Sequence, residues 1–161
     1  MVTQFFTADG TDTGELVEVR RKYVQDGIIY ENSVVNFEGV EAFDSITTEF
    51  CADTKAAYGD YNDHLEKGGL KAIGESLGRG HVLVMSLWDD HLAHMLWLNS
   101  DYPEGCDPEV PGCDRGPCPN DSGDPEDVEQ EQPDSNVYFS DIRFGPIDST
   151  YEGTPEKDIR K

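Results

Sequence analysis

Residues 81–102 read HVLVMSLWDDHLAHMLWLNSDY. An apolar run, Val82-Leu83-Val84-Met85, leads into Ser86-Leu87-Trp88-Asp89-Asp90. A second run, Met95-Leu96-Trp97-Leu98, follows after four residues. Short apolar runs separated by a polar turn predict two strands, over 81–88 and 93–98. Each carries a tryptophan, and carboxylates lie at the turn between them. Trp offers a flat apolar face to the C–H face of a pyranose, and Asp offers acceptors to the hydroxyls at the ring edge. The stretch therefore suits a groove that binds sugar rings; the competing use of two tryptophans is plain core packing.

Outward from this stretch, strand signals dominate. Residues 2–6, 15–25 and 28–30 read as strands, with Gly14 and Asp26-Gly27 punctuating their ends. Residues 31–46 read as loop with a short extended piece at Val34-Val35-Asn36-Phe37. A helix is predicted over 46–58, capped by Ser45 or Thr47 and stopped by Gly59, and a second over 69–77, closed by Gly78-Arg79-Gly80. A last strand is predicted over 136–144, where Val137, Phe139, Ile142 and Phe144 would pack. The polar tail, 148–161, reads as disordered. There is no internal repeat and no heptad pattern. Many strands joined by long loops and few helices predict an all-β chain, a β-sandwich of jelly-roll type.

The 161 residues suffice for one domain with a sizeable core. No apolar run approaches the length of a membrane span. Met1 runs directly into Val2-Thr3-Gln4-Phe5-Phe6 without a signal peptide, and reads as an internal methionine or a misplaced start. The net charge of −22 argues against nucleic acid and anionic membranes, which both need a positive face. Half of it is local: residues 101–135 hold 12 acidic residues against Arg115 alone. That stretch is rich in Pro and Gly and reads as an extended, solvated loop. So acidic a surface stays hydrated at high salt, where screening relieves self-repulsion.

Four cysteines, Cys51, Cys106, Cys113 and Cys118, allow three pairings. Cys106 and Cys113 share one loop and can close a short local disulfide; a Cys51–Cys118 bridge is the complementary choice. The spacings C-x6-C and C-x4-C match no common zinc module, and disulfides favour an oxidising, extracellular setting. His91 and His94 with Asp89 and Asp90 invite a metal reading. An i, i+3 pair shares a face only in a helix, however, so these read as loop histidines and no metal site is assigned. The acidic loop lacks the D-x-[DN]-x-[DN]-G pattern of a calcium loop, and there is no phosphate loop or nucleophile elbow.

Five blocks in order carry a family resemblance: Val2-Thr3-Gln4-Phe5; Tyr23-Val24-Gln25-Asp26-Gly27; Lys67-Gly68-Gly69-Leu70 followed by the tryptophan stretch; Arg115-Gly116-Pro117-Cys118; and Val137-Tyr138-Phe139-Ser140-Asp141-Ile142-Arg143-Phe144-Gly145-Pro146-Ile147. Together they resemble the family 7 glycoside hydrolases, the cellobiohydrolases and endoglucanases that degrade cellulose. Ser-Leu-Trp-Asp-Asp and Met-Leu-Trp-Leu are more similar to the cellobiohydrolases. The resemblance implies a concanavalin-like jelly-roll sandwich present in part, since a whole catalytic domain is more than twice this length. Residues 1–147 would be its C-terminal part, with 101–135 as a loop within it and 148–161 as a tail. It implies a secreted parent, monomeric when complete, acting on a cellulose chain or cello-oligosaccharides without a cofactor. It also implies that Cys51 and Cys118 bridge to partners in the N-terminal half.

Retaining glycoside hydrolysis needs two carboxyl groups about 5–5.5 Å apart. The family sets them in an E-x-D-x-x-E pattern on one strand, where alternation puts the three side chains on one face. That pattern does not occur here, and Glu126-Asp127-Val128-Glu129 has the wrong spacing. No catalytic residue is carried over. The resemblance assigns substrate contact instead: Trp88 as the stacking platform on the non-reducing side of the cleavage point, Trp97 as the platform on the leaving-group side, Asp89 as a hydroxyl-binding carboxylate, and Tyr102 and Arg115 as residues that hold the departing cellobiose. The planar fork of Arg suits adjacent hydroxyls. Where cellobiohydrolases often place aromatic residues to roof a tunnel, this chain has His91-Leu92-Ala93-His94, which implies a more open cleft and less processive action. The alternatives are a non-catalytic glucan-binding protein that kept the tryptophans, and a truncated, inactive relic.

Overall fold

The two-residue turn Asp26-Gly27 organises the sheet. Both residues lie in the left-handed region, with φ of 52° and 74°, the signature of the tight turn whose twist matches that of paired strands. It joins β2 (Leu16–Gln25) to β3 (Ile28–Glu31) as an antiparallel hairpin, Gln25 opposite Ile28 and Lys22 opposite Glu31. β1 (Val2–Thr7) runs antiparallel to β2 with Val2 opposite Lys22, and its register shifts between Phe6 and Thr7. β4 (Ile46–Thr47) pairs with Val19 and Glu18 of β2. The sheet order is β1-β2-β3-β5, with β4 branching from β2. The strands expected over 2–6, 15–25 and 28–30 are present, each within one residue of its expected ends.

The computed structural model describes residues 1–36, 38–101, 104–110, 113–116 and 118–156. They fall into two units, one formed by residues 1–82 with the segment from Arg143 onward, the other by 83–142. In the first unit, Thr47 caps α1 (Thr48–Tyr58) by accepting from the Phe50 amide at 3.0 Å, and Gly59, at φ 67°, ends it. α2 (Asp63–Glu66) is a single turn capped by Asn62, too short to leave a period in the sequence. α3 (Gly69–Leu77) lies where the sequence places it.

The core of this unit forms where α3 meets β2. Leu70 is 2% exposed and Leu16 5%. Gly74 permits the approach, because a Cβ at that position would sit 2.6 Å from the Leu16 Cβ. Gly74→Ala should therefore lower stability by about 1–3 kcal/mol through overpacking, although alanine is the better helix former by about 1 kcal/mol. Urea unfolding measures this, and a stabilised variant would refute the close contact.

Three sequence expectations are corrected. Residues 81–88 lie in an unpaired stretch of neither helix nor strand; 93–98 forms the end of a turn and the start of α4 (Leu96–Asn99); 136–144 has no ladder partner. The apolar pattern is real, yet Val82 is 87% exposed and Phe144 fully so. A strand needs a neighbour to bond its backbone, and among the described residues none runs beside these segments. The acidic loop also contains a helix, α5 (Pro125–Glu131), with Asp124 as its cap and Pro125 at its start. The extended piece expected at 34–37 forms no strand, and Phe37 lies outside the described residues.

The expected disordered tail is ordered over 148–156. β5 (Thr154–Pro155) pairs in parallel with Ile28 and Ile29, and the Thr154 amide donates to Gly27 O at 2.9 Å. Asp148 anchors this segment: it accepts from Gln4 Nε2 at 2.9 Å and from the Tyr151 hydroxyl, with Lys22 Nζ 3.7 Å away. The Tyr151 and Gln4 hydrogen bonds hold its carboxyl below the ordinary carboxylate range. A depressed folded pKa stabilises fully above the unfolded value of about 3.9, and that contribution is lost as pH falls through the folded one. Asp148→Asn should thus loosen β5 at neutral pH and remove part of the acid sensitivity below about pH 4. Hydrogen exchange at the Thr154 amide reads this directly; identical pH profiles for variant and parent would sink it.

Candidate functional site

Within unit 83–142 the two tryptophans are arranged by Asp90, which the sequence offers only as a turn carboxylate or a metal ligand. Asp90 Oδ1 accepts from the amides of Leu92 and Ala93, both at 3.0 Å, and its Oδ2 accepts from the Trp97 indole Nε1 at 2.9 Å. An aspartate bonding amides two and three residues ahead folds the chain back on itself. The Ala93 and Trp97 bonds, with that from Leu92, hold its carboxyl below the ordinary range. His94 and Met95 complete the turn at φ 49° and 61°, and α4 begins immediately after. The signal was legible in principle: Asp followed by a short polar turn is an Asx-turn pattern.

This turn brings Trp88 and Trp97 together. Their ring centroids are 5.9 Å apart with 21° between planes, a stacked pair. Both remain substantially exposed, Trp88 at 58% and Trp97 at 47%, so each ring covers one face of the other and keeps the remaining surface open. Neither is core. Asp89, adjoining Trp88, is half-buried and lies 3.7 Å from His91 Nε2.

Arg115 is placed by the loop that follows α4. Asp101 and Asp114 form an antiparallel bridge, and the Arg115 amide donates to Ser100 O at 3.3 Å. Gly116 is needed beside it, since a Cβ there would meet Asn99 Oδ1 at 2.5 Å and Leu98 O at 2.7 Å. The far end of this loop is closed by the Cys106–Cys113 disulfide, with Cα atoms 5.9 Å apart, whose Cys113 is buried. Cys51 and Cys118 are free thiols. Tyr102, the remaining expected contact, lies outside the described residues.

Comparison with known proteins places the chain's fold in a class. Against the Daphnia pulex family 7 cellobiohydrolase the chain aligns with a TM-score of 0.71 and 55% identity, over 81% of this chain and 29% of that one. Against the Melanocarpus albomyces cellobiohydrolase solved with cellotetraose, the TM-score is 0.69 at 44% identity, over 83% of this chain and 31% of that one. The fold is thus part of a β-jelly-roll of the glycoside hydrolase type. The family model for Glycosyl hydrolase family 7 matches residues 1–151, and the chain belongs to that family. A curated relative, Exoglucanase GH7B of Limnoria quadripunctata, is 51% identical over 150 residues, which is 92% of this chain and 32% of that protein. The chain therefore spans about a third of the length of the relatives it matches.

Proposed function

We propose that this chain is the substrate- and product-binding portion of a cellulase that hydrolyses β-1,4-glucosidic bonds with retention and releases cellobiose. The observation that carries the reading is the exposed Trp88–Trp97 pair beside Asp89, in a chain about half identical to an exoglucanase. In this reading the tryptophan faces take up glucose rings, Asp89 accepts from ring hydroxyls, and Arg115 with Tyr102 retains the leaving disaccharide. The acid/base and nucleophile are supplied by residues outside these 161, because the required E-x-D-x-x-E pattern is absent from them. Retaining chemistry needs only those two carboxyl groups and water, so no cofactor is assigned. The enzyme is read as secreted and monomeric.

The same missing pattern favours a second reading, a glucan-binding protein without hydrolytic activity. Both readings require glucan binding by this chain, and that shared claim is tested by mixing the 161-residue chain with cellohexaose and measuring both binding heat and released cellobiose. Binding without release is the expected result. Release by this chain alone would overturn the placement of the chemistry, and absence of binding would overturn the sugar reading itself.

A further inference from the structure

The side chains of Asp89, His91 and Glu129 converge so that one ligand atom from each lies within 4.8 Å of the others. His91 Nε2 is 3.0 Å from Glu129 Oε1 and 3.7 Å from Asp89 Oδ1. Asp89 and His91 come from the Asp90-centred turn, whereas Glu129 comes from α5, 38 residues further along. That distance is why the sequence showed only loop histidines: the third donor cannot be read from local spacing. A second histidine lies near a carboxylate of α5's cap, His94 Nδ1 being 3.8 Å from Asp124 Oδ2.

We propose that Asp89, His91 and Glu129 form a binding site for a divalent transition-metal cation of the zinc class. Two physical arguments carry this. The first is geometric. Zinc bonds of about 2.0–2.1 Å at tetrahedral angles set ligand atoms about 3.3–3.4 Å apart; His91 Nε2 lies 3.0 and 3.7 Å from the two carboxylates, either side of that value, and all three donor atoms lie within 4.8 Å of one another. One neutral imidazole with two carboxylates is also a donor set that zinc accepts, with a further position left for water. The second is a matter of valence. Nε2 can carry a single proton and so donates to one carboxylate well; Glu129 holds that bond, and Asp89 at 3.7 Å is beyond hydrogen-bonding distance of it. A divalent ion in place of that proton satisfies both carboxylates at once. The field favours its arrival, since residues 83–142 contain 15 Asp and Glu against Arg115 as their only Lys or Arg.

The bound ion pins α5 to the turn that presents Trp88 and Trp97, and fixes the orientation of Asp89. This does not depend on the sugar reading: a protein that binds no glucan would still bind the metal.

The test is calorimetric titration of the full chain with zinc chloride at neutral pH, in a buffer that does not chelate. One ion per chain is expected. His91→Ala and Glu129→Gln should each weaken binding by at least about 10-fold, and both positions are exposed, so the fold tolerates them. Free thiols are the competing zinc donors, so a Cys51→Ser/Cys118→Ser protein must keep the site. Cobalt(II) in place of zinc should give the visible spectrum of a nitrogen/oxygen site without sulfur-to-metal charge transfer. No binding heat, undiminished binding in His91→Ala, or loss of binding in the thiol-free protein would each overturn the proposal.

Discussion

Leu70→Ala should cost the first unit about 2–5 kcal/mol. Leu70 is 2% exposed at the start of α3, and Leu16 across from that helix is 5% exposed; they are the buried aliphatic residues among the described part of this unit. Truncation to alanine removes the transfer free energy of three carbons and leaves a cavity that the Gly74 contact cannot fill, because helix and strand already touch there. Domains of this size have about 5–15 kcal/mol in hand, so the loss is a large fraction of the whole. The control is Val84→Ala, which removes an exposed side chain at 78% and should change stability by no more than about 0.5 kcal/mol. Urea unfolding followed by circular dichroism compares the two. A Leu70→Ala midpoint indistinguishable from that of Val84→Ala would mean that the contact between α3 and β2 is not the core of the unit.

The parts of the fold legible in the sequence are those set by local chemistry. Asp26-Gly27 can hardly be anything but a hairpin turn, and Thr47 with Gly59 brackets α1 by a side-chain cap and a left-handed stop. The stretches 81–88 and 136–144 failed for the opposite reason. Their apolar residues state which positions would be buried in a strand, while pairing depends on a neighbour that local sequence does not specify. α5 has a strong helix start in Asp124-Pro125-Glu126, but the net charge and Pro/Gly content of 101–135 point to an extended loop instead. In the site, the tryptophans and Asp89 were legible as types suited to sugar. Their stacked geometry was not, since it depends on the turn that Asp90 closes through two backbone amides and the Trp97 indole. Of the three possible cysteine pairings, the structure forms Cys106–Cys113 and leaves Cys51 and Cys118 free.

Trp97→Ala should reduce affinity for cellohexaose by roughly 5- to 150-fold, the equivalent of about 1–3 kcal/mol for an exposed aromatic anchor in a binding groove. The argument rests on three features of this ring. It is 47% exposed, so its removal opens no cavity in a core. It stacks on Trp88 at 5.9 Å, so its loss also frees the Trp88 ring to reorient. Its indole nitrogen is held by Asp90 at 2.9 Å, which fixes the plane before ligand arrives and spares the ordering cost on binding. That third feature separates platform from packing. Trp97→Phe keeps an apolar ring but loses the donor, so it should bind with intermediate affinity, and Asp90→Ala should weaken binding in a protein that retains both rings. Titration followed by intrinsic tryptophan fluorescence resolves the series. If Trp97→Ala binds cellohexaose as tightly as the parent while Asp90→Ala does not, the turn matters but the ring is not a sugar platform. If all variants bind alike, the tryptophan pair has no part in glucan recognition.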